Sequence, residues 1–290
     1  MAMNIRIASA SGFCFGVKRA LDLTLEAKNA PGGAVTYGEL IHNRDVVRKL
    51  ESEGVSVIDS LKDGAGKTVV IRSHGVPKSF HDEAEALGIK TVDGTCPFVK
   101  KIHRLVDGFS RDGSPVMIVG TATHPEVIGI AGWCHGPVYV VDSLETLEAW
   151  ETQHLSADGH FNQPLILVAQ TTIRLALWTS IYKRLSEHTA HLVAHNTICK
   201  ATSERQTSAE TLSAEVDCML VVGGPHSSNT KKLYEICKKN CEKTYFIESA
   251  ADLQMINLLN CDNIGITAGA STPDWVIDDI LNQLKKISNS

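Results

Sequence analysis

Three cysteines, Cys14, Cys96 and Cys199, open three copies of one pattern. Each sits directly ahead of a stretch with helical spacing, in Gly12-Phe13-Cys14-Phe15-Gly16, Gly94-Thr95-Cys96-Pro97 and Thr197-Ile198-Cys199-Lys200. A polar loop follows each at one distance: His42, His124 and Ser227 lie 28 residues past their cysteines. One thiol per repeat points to three sulfurs converging on a pseudo-threefold axis. Three thiolates do not close a four-position metal site, so a fourth position is left for a substrate.

The repeats read as alternating strands and helices, which predicts an α/β protein with parallel sheets in three pseudo-equivalent lobes, a trefoil around the cysteines. Ile5–Ala8 leads to Cys14, and Val17, Ala20, Leu21 and Leu25 make a helical stripe. Lys90–Val92 leads to Cys96, with a stripe of Val99, Ile102, Val106 and Phe109. Leu192-Val193 leads to Cys199, with a weaker stripe of Ala209, Leu212 and Val216. An acid-serine step recurs at Asp59-Ser60, Asp142-Ser143 and Glu248-Ser249. Lobes of residues 1–96, 97–195 and 196–290 follow from this division. In parallel sheets, ligands collect beyond the carboxyl ends of strands. There the chain places His42, His74, His124, Thr171, Ser227 and Ser271.

Composition excludes some classes of partner. A net charge of −5 argues against nucleic acid held by phosphate neutralisation. No run approaches the ~20 apolar residues of a membrane span, and no long apolar segment precedes Gly12. A cytoplasmic protein is expected, in which cysteines bind metal or react more often than they form disulfides. Cys134, Cys218, Cys237, Cys241 and Cys261 read as small core residues. For Cys14, Cys96 and Cys199 the repetition at helix starts favours thiolate ligands. Zinc with an open position is one candidate; three soft thiolates also suit an iron–sulfur cluster.

The remaining polar residues keep two readings each. His42, His74, Ser227, Ser228, Asn229 and Ser271 form a set of neutral donors suited to a diphosphate at helix N-termini. Ser and Asn also favour those positions as caps. Glu126, after His124-Pro125, reads either as a proton donor or as a first-turn glutamate favoured by the helix dipole. Gly64-Ala65-Gly66-Lys67 and Gly223-Gly224 lack the phosphate-loop spacing and read as turns.

Taken in order, these motifs resemble the 4-hydroxy-3-methylbut-2-enyl diphosphate reductase family of the non-mevalonate isoprenoid pathway. The resemblance runs from about residue 5 to 285. It is carried by Gly12-Phe13-Cys14, His42-Asn43-Arg44, His74-Gly75-Val76, Thr95-Cys96-Pro97, His124-Pro125-Glu126-Val127, Gln170-Thr171-Thr172, Ile198-Cys199, Ser227-Ser228-Asn229 and Ala268-Gly269-Ala270-Ser271. It implies one [4Fe–4S] cluster on Cys14, Cys96 and Cys199, whose open iron binds the substrate hydroxyl. It implies a substrate diphosphate held by His42, His74, Ser227, Asn229 and Ser271. Thr171, His124, Ser228 and Glu126 then surround the alcohol end, with Glu126 feeding protons. Two electrons from a ferredoxin- or flavodoxin-like donor yield isopentenyl and dimethylallyl diphosphate. Phe15, beside Cys14, and Pro225-His226, ahead of the Ser-Ser-Asn loop, depart from the family pattern without removing a site residue. A hydro-lyase using the same open iron, and an iron–sulfur sensor without turnover, are the rival readings.

Overall fold

The computed structural model describes residues 3–258 and 261–289. Strands run β1 (Asn4–Ile7), β2 (Ala34–Tyr37), β3 (Ser56–Ile58), β4 (Thr68–Ile71), β5 (Thr91–Asp93), β6 (Val116–Val119), β7 (Val138–Val141), β8 (Leu165–Ala169), β9 (Leu192–Ala194), β10 (Cys218–Val222), β11 (Thr244–Ile247) and β12 (Asn263–Ala268). Helices run α1 (Phe15–Ala27), α2 (Arg44–Ser52), α3 (Lys78–Ala86), α4 (Pro97–Phe109), α5 (Pro125–Ala131), α6 (Leu144–His154), α7 (Leu175–His188), α8 (Lys200–Ser213), α9 (Ser228–Asn240) and α10 (Asp274–Asn289).

These strands form three four-stranded parallel sheets, ordered β3-β2-β4-β5, β7-β6-β8-β9 and β11-β10-β12-β1. The third order reproduces the first two only if β1 plays the part of β5 and β9. The repeat is therefore circularly permuted: each unit ends with a short edge strand that runs into a ligand-type cysteine, and the third unit takes that strand from the start of the chain. Sequence order placed β1 with residues 1–96; its pairing with β12 puts it in the sheet of residues 218–268 instead.

Burial explains the long apolar runs. All residues of β6 and β8 are buried, because helices cover both faces of the second sheet. Met117, Val119, Leu165 and Leu167 pack on Leu147, Trp150, Trp178, Ile181 and Leu185 of α6 and α7. Val116, Ile118, Ile166 and Val168 pack on Ile102, Val106, Val127 and Ile130 of α4 and α5. The third sheet is covered likewise, with Leu220, Val222, Ile264 and Ile266 against Val276, Ile277, Ile280 and Leu284 of α10. Two expected stripe residues depart from the helical core stripe, although Val216 still packs against the core. Phe109, the last residue of α4, is half exposed, and Val216 lies beyond the end of α8.

By packing, the chain divides into two compact units. One comprises Met1–Lys18, Ile41–Glu53 and Lys200–Ser290, and so holds the third sheet; the other comprises Arg19–Leu40 and Gly54–Cys199 and holds the first and second. Cys218, Cys237, Cys241 and Cys261 are buried and Cys134 half-buried, all without disulfides. Burial pushes the Cys134 and Cys237 thiols up to about 12, so both stay protonated packing groups. No described helix is long and apolar enough to cross a membrane.

Candidate functional site

The three repeat cysteines stand at equivalent places. Cys14 immediately precedes α1, Cys96 is the N-cap of α4, and Cys199 immediately precedes α8. Each amide is tied to the loop after the third strand of its sheet. Cys14 N–H donates to Ala270 O at 3.1 Å, Cys96 N–H to Ser73 O at 2.9 Å and Cys199 N–H to Thr171 O at 3.0 Å. Those acceptors adjoin Ser271 and His74 or are Thr171 itself, so one bond in each repeat joins a cysteine to a site loop. None of the three is in a disulfide, and all are half-buried. A soft donor set of this kind, fixed at helix starts that favour the thiolate, fits an iron–sulfur centre.

In the second unit the acid-base residues meet. Glu126, in the first turn of α5, is 3% exposed and turns inward rather than staying in water beside the helix end. Thr171 N–H donates to its Oε1 at 2.6 Å, and Thr171 Oγ1 lies 2.8 Å from Oε2. Burial pushes the carboxyl up to about 7, against the pull of the two Thr171 hydrogen bonds. The amide N–H requires an acceptor at Oε1, so the acid proton sits on Oε2, facing the Thr171 hydroxyl. Glu126 is thus a first-turn glutamate that is buried against Thr171 rather than left in water at the helix end.

His124 caps α5 with its ring, Nδ1 accepting from Glu126 N–H at 3.1 Å. That bond places the neutral ring's proton on Nε2. The His74 and His124 rings pack edge to face, 5.3 Å between centroids. Behind them His103 stacks on Trp133 at 5.3 Å, and burial drives it down to about 4, so it packs as a neutral ring. A side chain the sequence reading passed over, Gln170, is fully buried and bridges Thr121 N–H and the Thr172 hydroxyl, which fixes the Thr171 loop. Its signal was its place at the end of an apolar strand, where an amide has no packing reason to be.

In the first unit the neutral donors gather. Ser227 caps α9, its hydroxyl accepting from Thr230 N–H at 3.3 Å. Ser228 and Asn229 form the first turn of that helix. Asn229 is 3% exposed, yet neither its amide oxygen nor its nitrogen has a partner. Buried polar groups are normally satisfied, so this amide at a helix N-terminus is an exception that a polar ligand could satisfy. The Gly223-Gly224 turn lets that helix approach the His42 loop, for a Cβ on Gly224 would lie 2.8 Å from His42 O. Ser271 does not cap α10; its hydroxyl donates to His42 O at 3.4 Å. The first repeat differs in one detail, since the cap of α2 is Asn43 rather than His42, which leaves the His42 ring out of the cap.

Equivalent cysteines at strand ends and a buried carboxyl poised near neutrality define an α/β enzyme of threefold internal repetition. Residues 5–285 match the family model described as "LytB protein", and the chain belongs to that family, whose members are iron–sulfur oxidoreductases. It is 44% identical over 290 residues to the 4-hydroxy-3-methylbut-2-enyl diphosphate reductase of Caldanaerobacter subterraneus subsp. tengcongensis, covering 98% of each chain. It is 41% identical to the Geobacter sulfurreducens protein of the same name, covering 99% of each. A solved (E)-4-hydroxy-3-methyl-but-2-enyl diphosphate reductase, the terminal enzyme of the non-mevalonate pathway, superposes with a TM-score of 0.69 at 38% identity over 99% of this chain and 100% of that one. The E-1-hydroxy-2-methyl-but-2-enyl-4-diphosphate reductase of Plasmodium falciparum gives 0.88 at 27% identity over 97% of this chain and 88% of that one.

Proposed function

We propose that this chain reduces 4-hydroxy-3-methylbut-2-enyl diphosphate to isopentenyl and dimethylallyl diphosphate, in the cytoplasm, with electrons from a ferredoxin- or flavodoxin-like protein. The observation that carries the reading is Glu126: a fully buried carboxyl with its proton directed at Thr171, whose own carbonyl is bonded to the amide of Cys199. Cys14, Cys96 and Cys199 would hold one [4Fe–4S] cluster, which when bound would relay the donor's two electrons one at a time and offer a Lewis-acidic iron.

The protein's own groups do the rest. His42, His74, Ser227, Asn229 and Ser271 bind the diphosphate through neutral donors and the N-terminal amides of α9. Ser228, His124 and Thr171 orient the alcohol end. Hydroxide is a poor leaving group, so C–O cleavage needs a proton. Glu126 gives it from Oε2 to Thr171 Oγ1, which passes its own proton on. Protonation of the resulting allylic carbanion equivalent at either end gives the two products. A hydro-lyase needs no electron donor, and a sensor needs no acid; the family relationship and the tuned carboxyl both favour the reductase.

The test is the Glu126→Gln variant, reconstituted and reduced under argon. Normal iron and sulfide, unchanged diphosphate affinity and a loss of turnover of about 10²-fold or more are expected. Full turnover would remove Glu126 from the proton path.

A further inference from the structure

Two arginines outside the site described above stand directly behind the cysteine turns. Arg205, on α8, is 6% exposed. Its Nη2 donates to Gly12 O at 2.7 Å, two residues ahead of Cys14, and its Nη1 to Ala201 O at 2.9 Å. Its Nε has no partner. Gly12 adopts a left-handed backbone (φ +79°), and a Cβ there would lie 2.8 Å from Asp274 Oδ1, so the turn that aims its carbonyl at Arg205 requires glycine. Arg19, on α1, is half-buried and repeats the arrangement one cysteine on. Its Nη1 donates to Thr95 O at 3.2 Å, the residue before Cys96, and both terminal nitrogens reach Asp93 O at 3.4 Å.

Neither guanidinium has a carboxylate within ion-pair distance among the described residues. Asp93, whose carbonyl Arg19 reaches, spends its carboxylate on Lys100 at 2.5 Å and on Thr95 N–H at 2.9 Å, and Glu204, next to Arg205, pairs with Lys200 at 3.4 Å. A buried cation that meets only carbonyls is costly unless a negative charge lies close by. Asp274, beside Gly12, is one such charge, and three thiolates on a reducible cluster would be another. In the turn before Cys199, Thr197 Oγ1 accepts from Ala169 N–H at 2.8 Å, and Asn196 Oδ1 accepts from Ile198 N–H at 3.1 Å.

We propose that Arg205 and Arg19 are positioning residues that fix the Cys14 and Cys96 turns and, through their unneutralised charge, raise the reduction potential of the cluster those cysteines hold. The proposal rests on the three-cysteine reading above. Hydrogen bonding and net charge around a cluster set its potential, and a cation stabilises the form with the extra electron. Fixing the turns and supplying charge are separable, because lysine keeps the charge without the two-pronged geometry and glutamine keeps a donor without the charge.

The experiment is an anaerobic redox titration of the reconstituted full-length protein, followed by electron paramagnetic resonance, for wild type, Arg205→Gln, Arg205→Lys and Arg19→Gln, with iron and sulfide measured on each sample. Arg205→Gln and Arg19→Gln should each titrate at a more negative potential than wild type with the cluster present, and Arg205→Lys should recover most of that shift. Wild-type potentials in both glutamine variants, with full iron and sulfide, would overturn the electrostatic role. Should Arg205→Gln fail to fold, Arg19→Gln, at a half-buried position, decides alone. Failure of the underlying reading looks different: Cys96→Ser or Cys14→Ser would then keep a full cluster whatever the arginines do.

Discussion

Replacing Glu126 by glutamine should change how the protein's stability depends on pH, by an amount the site fixes. The carboxyl is raised from 4.5 to about 7 by burial. In the unfolded chain it releases its proton near 4.5; in the native protein it holds the proton to about 7. Between those values the native state binds more protons than the unfolded state, so this group's contribution to stability falls as pH rises and levels off above 7. At 1.36 kcal/mol per unit, the whole fall is about 3 kcal/mol. Glutamine cannot ionise, and it keeps both contacts, accepting from Thr171 N–H and donating to Thr171 Oγ1. Glu126→Gln should therefore match wild type near pH 4.5 and gain on it by about 3 kcal/mol by pH 8. For a protein of this size that is roughly 6 °C or more in Tm, read by anaerobic calorimetry on the two proteins in parallel. Every other titrating group is common to both, so only the difference matters. Parallel Tm profiles from pH 4.5 to 8 would show that Glu126 is not held protonated, and the argument for it as the acid would fail.

Three further outcomes follow from the same geometry. Thr171→Val keeps the backbone N–H on Glu126 Oε1 but removes the hydroxyl that faces the proton, so kcat should fall about 10- to 100-fold with cluster content unchanged. Asn229→Ala should raise KM for the diphosphate with little change in Tm, because the amide it removes has no protein partner to lose. Cys96→Ser should lose the cluster, and normal iron and sulfide in that variant would contradict the three-ligand assignment.

The cysteine spacing made the equivalent placement of Cys14, Cys96 and Cys199 at helix starts legible, because a repeated thiol there has no packing explanation. The strands were legible too: β6 and β8 are buried on both faces and read as unbroken apolar runs. What periodicity could not provide was the pairing of β1 with β12, since the partner lies at the far end of the chain and no local pattern encodes it. Glu126 shows the same limit. Its sequence neighbours fit either a helix-dipole glutamate or an acid, and its partner Thr171, brought over from the end of β8, is invisible to local pattern. Arg205 did leave a trace in the sequence. It lies in line with buried Thr202, Ala209 and Leu212 on α8, a charge on the inward stripe of a helix. Read as a weak stripe, that line hid the residue; read as a stripe interrupted by a cation, it marks a counter-charge to be found.

The proposed reaction can be read from turnover. Protein with verified iron and sulfide would be given reduced viologen dye and 4-hydroxy-3-methylbut-2-enyl diphosphate under argon, and the products separated. Dye oxidation at two electrons per substrate and formation of both isopentenyl and dimethylallyl diphosphate are expected. Substrate left intact by an intact, reducible cluster would contradict the proposed reaction.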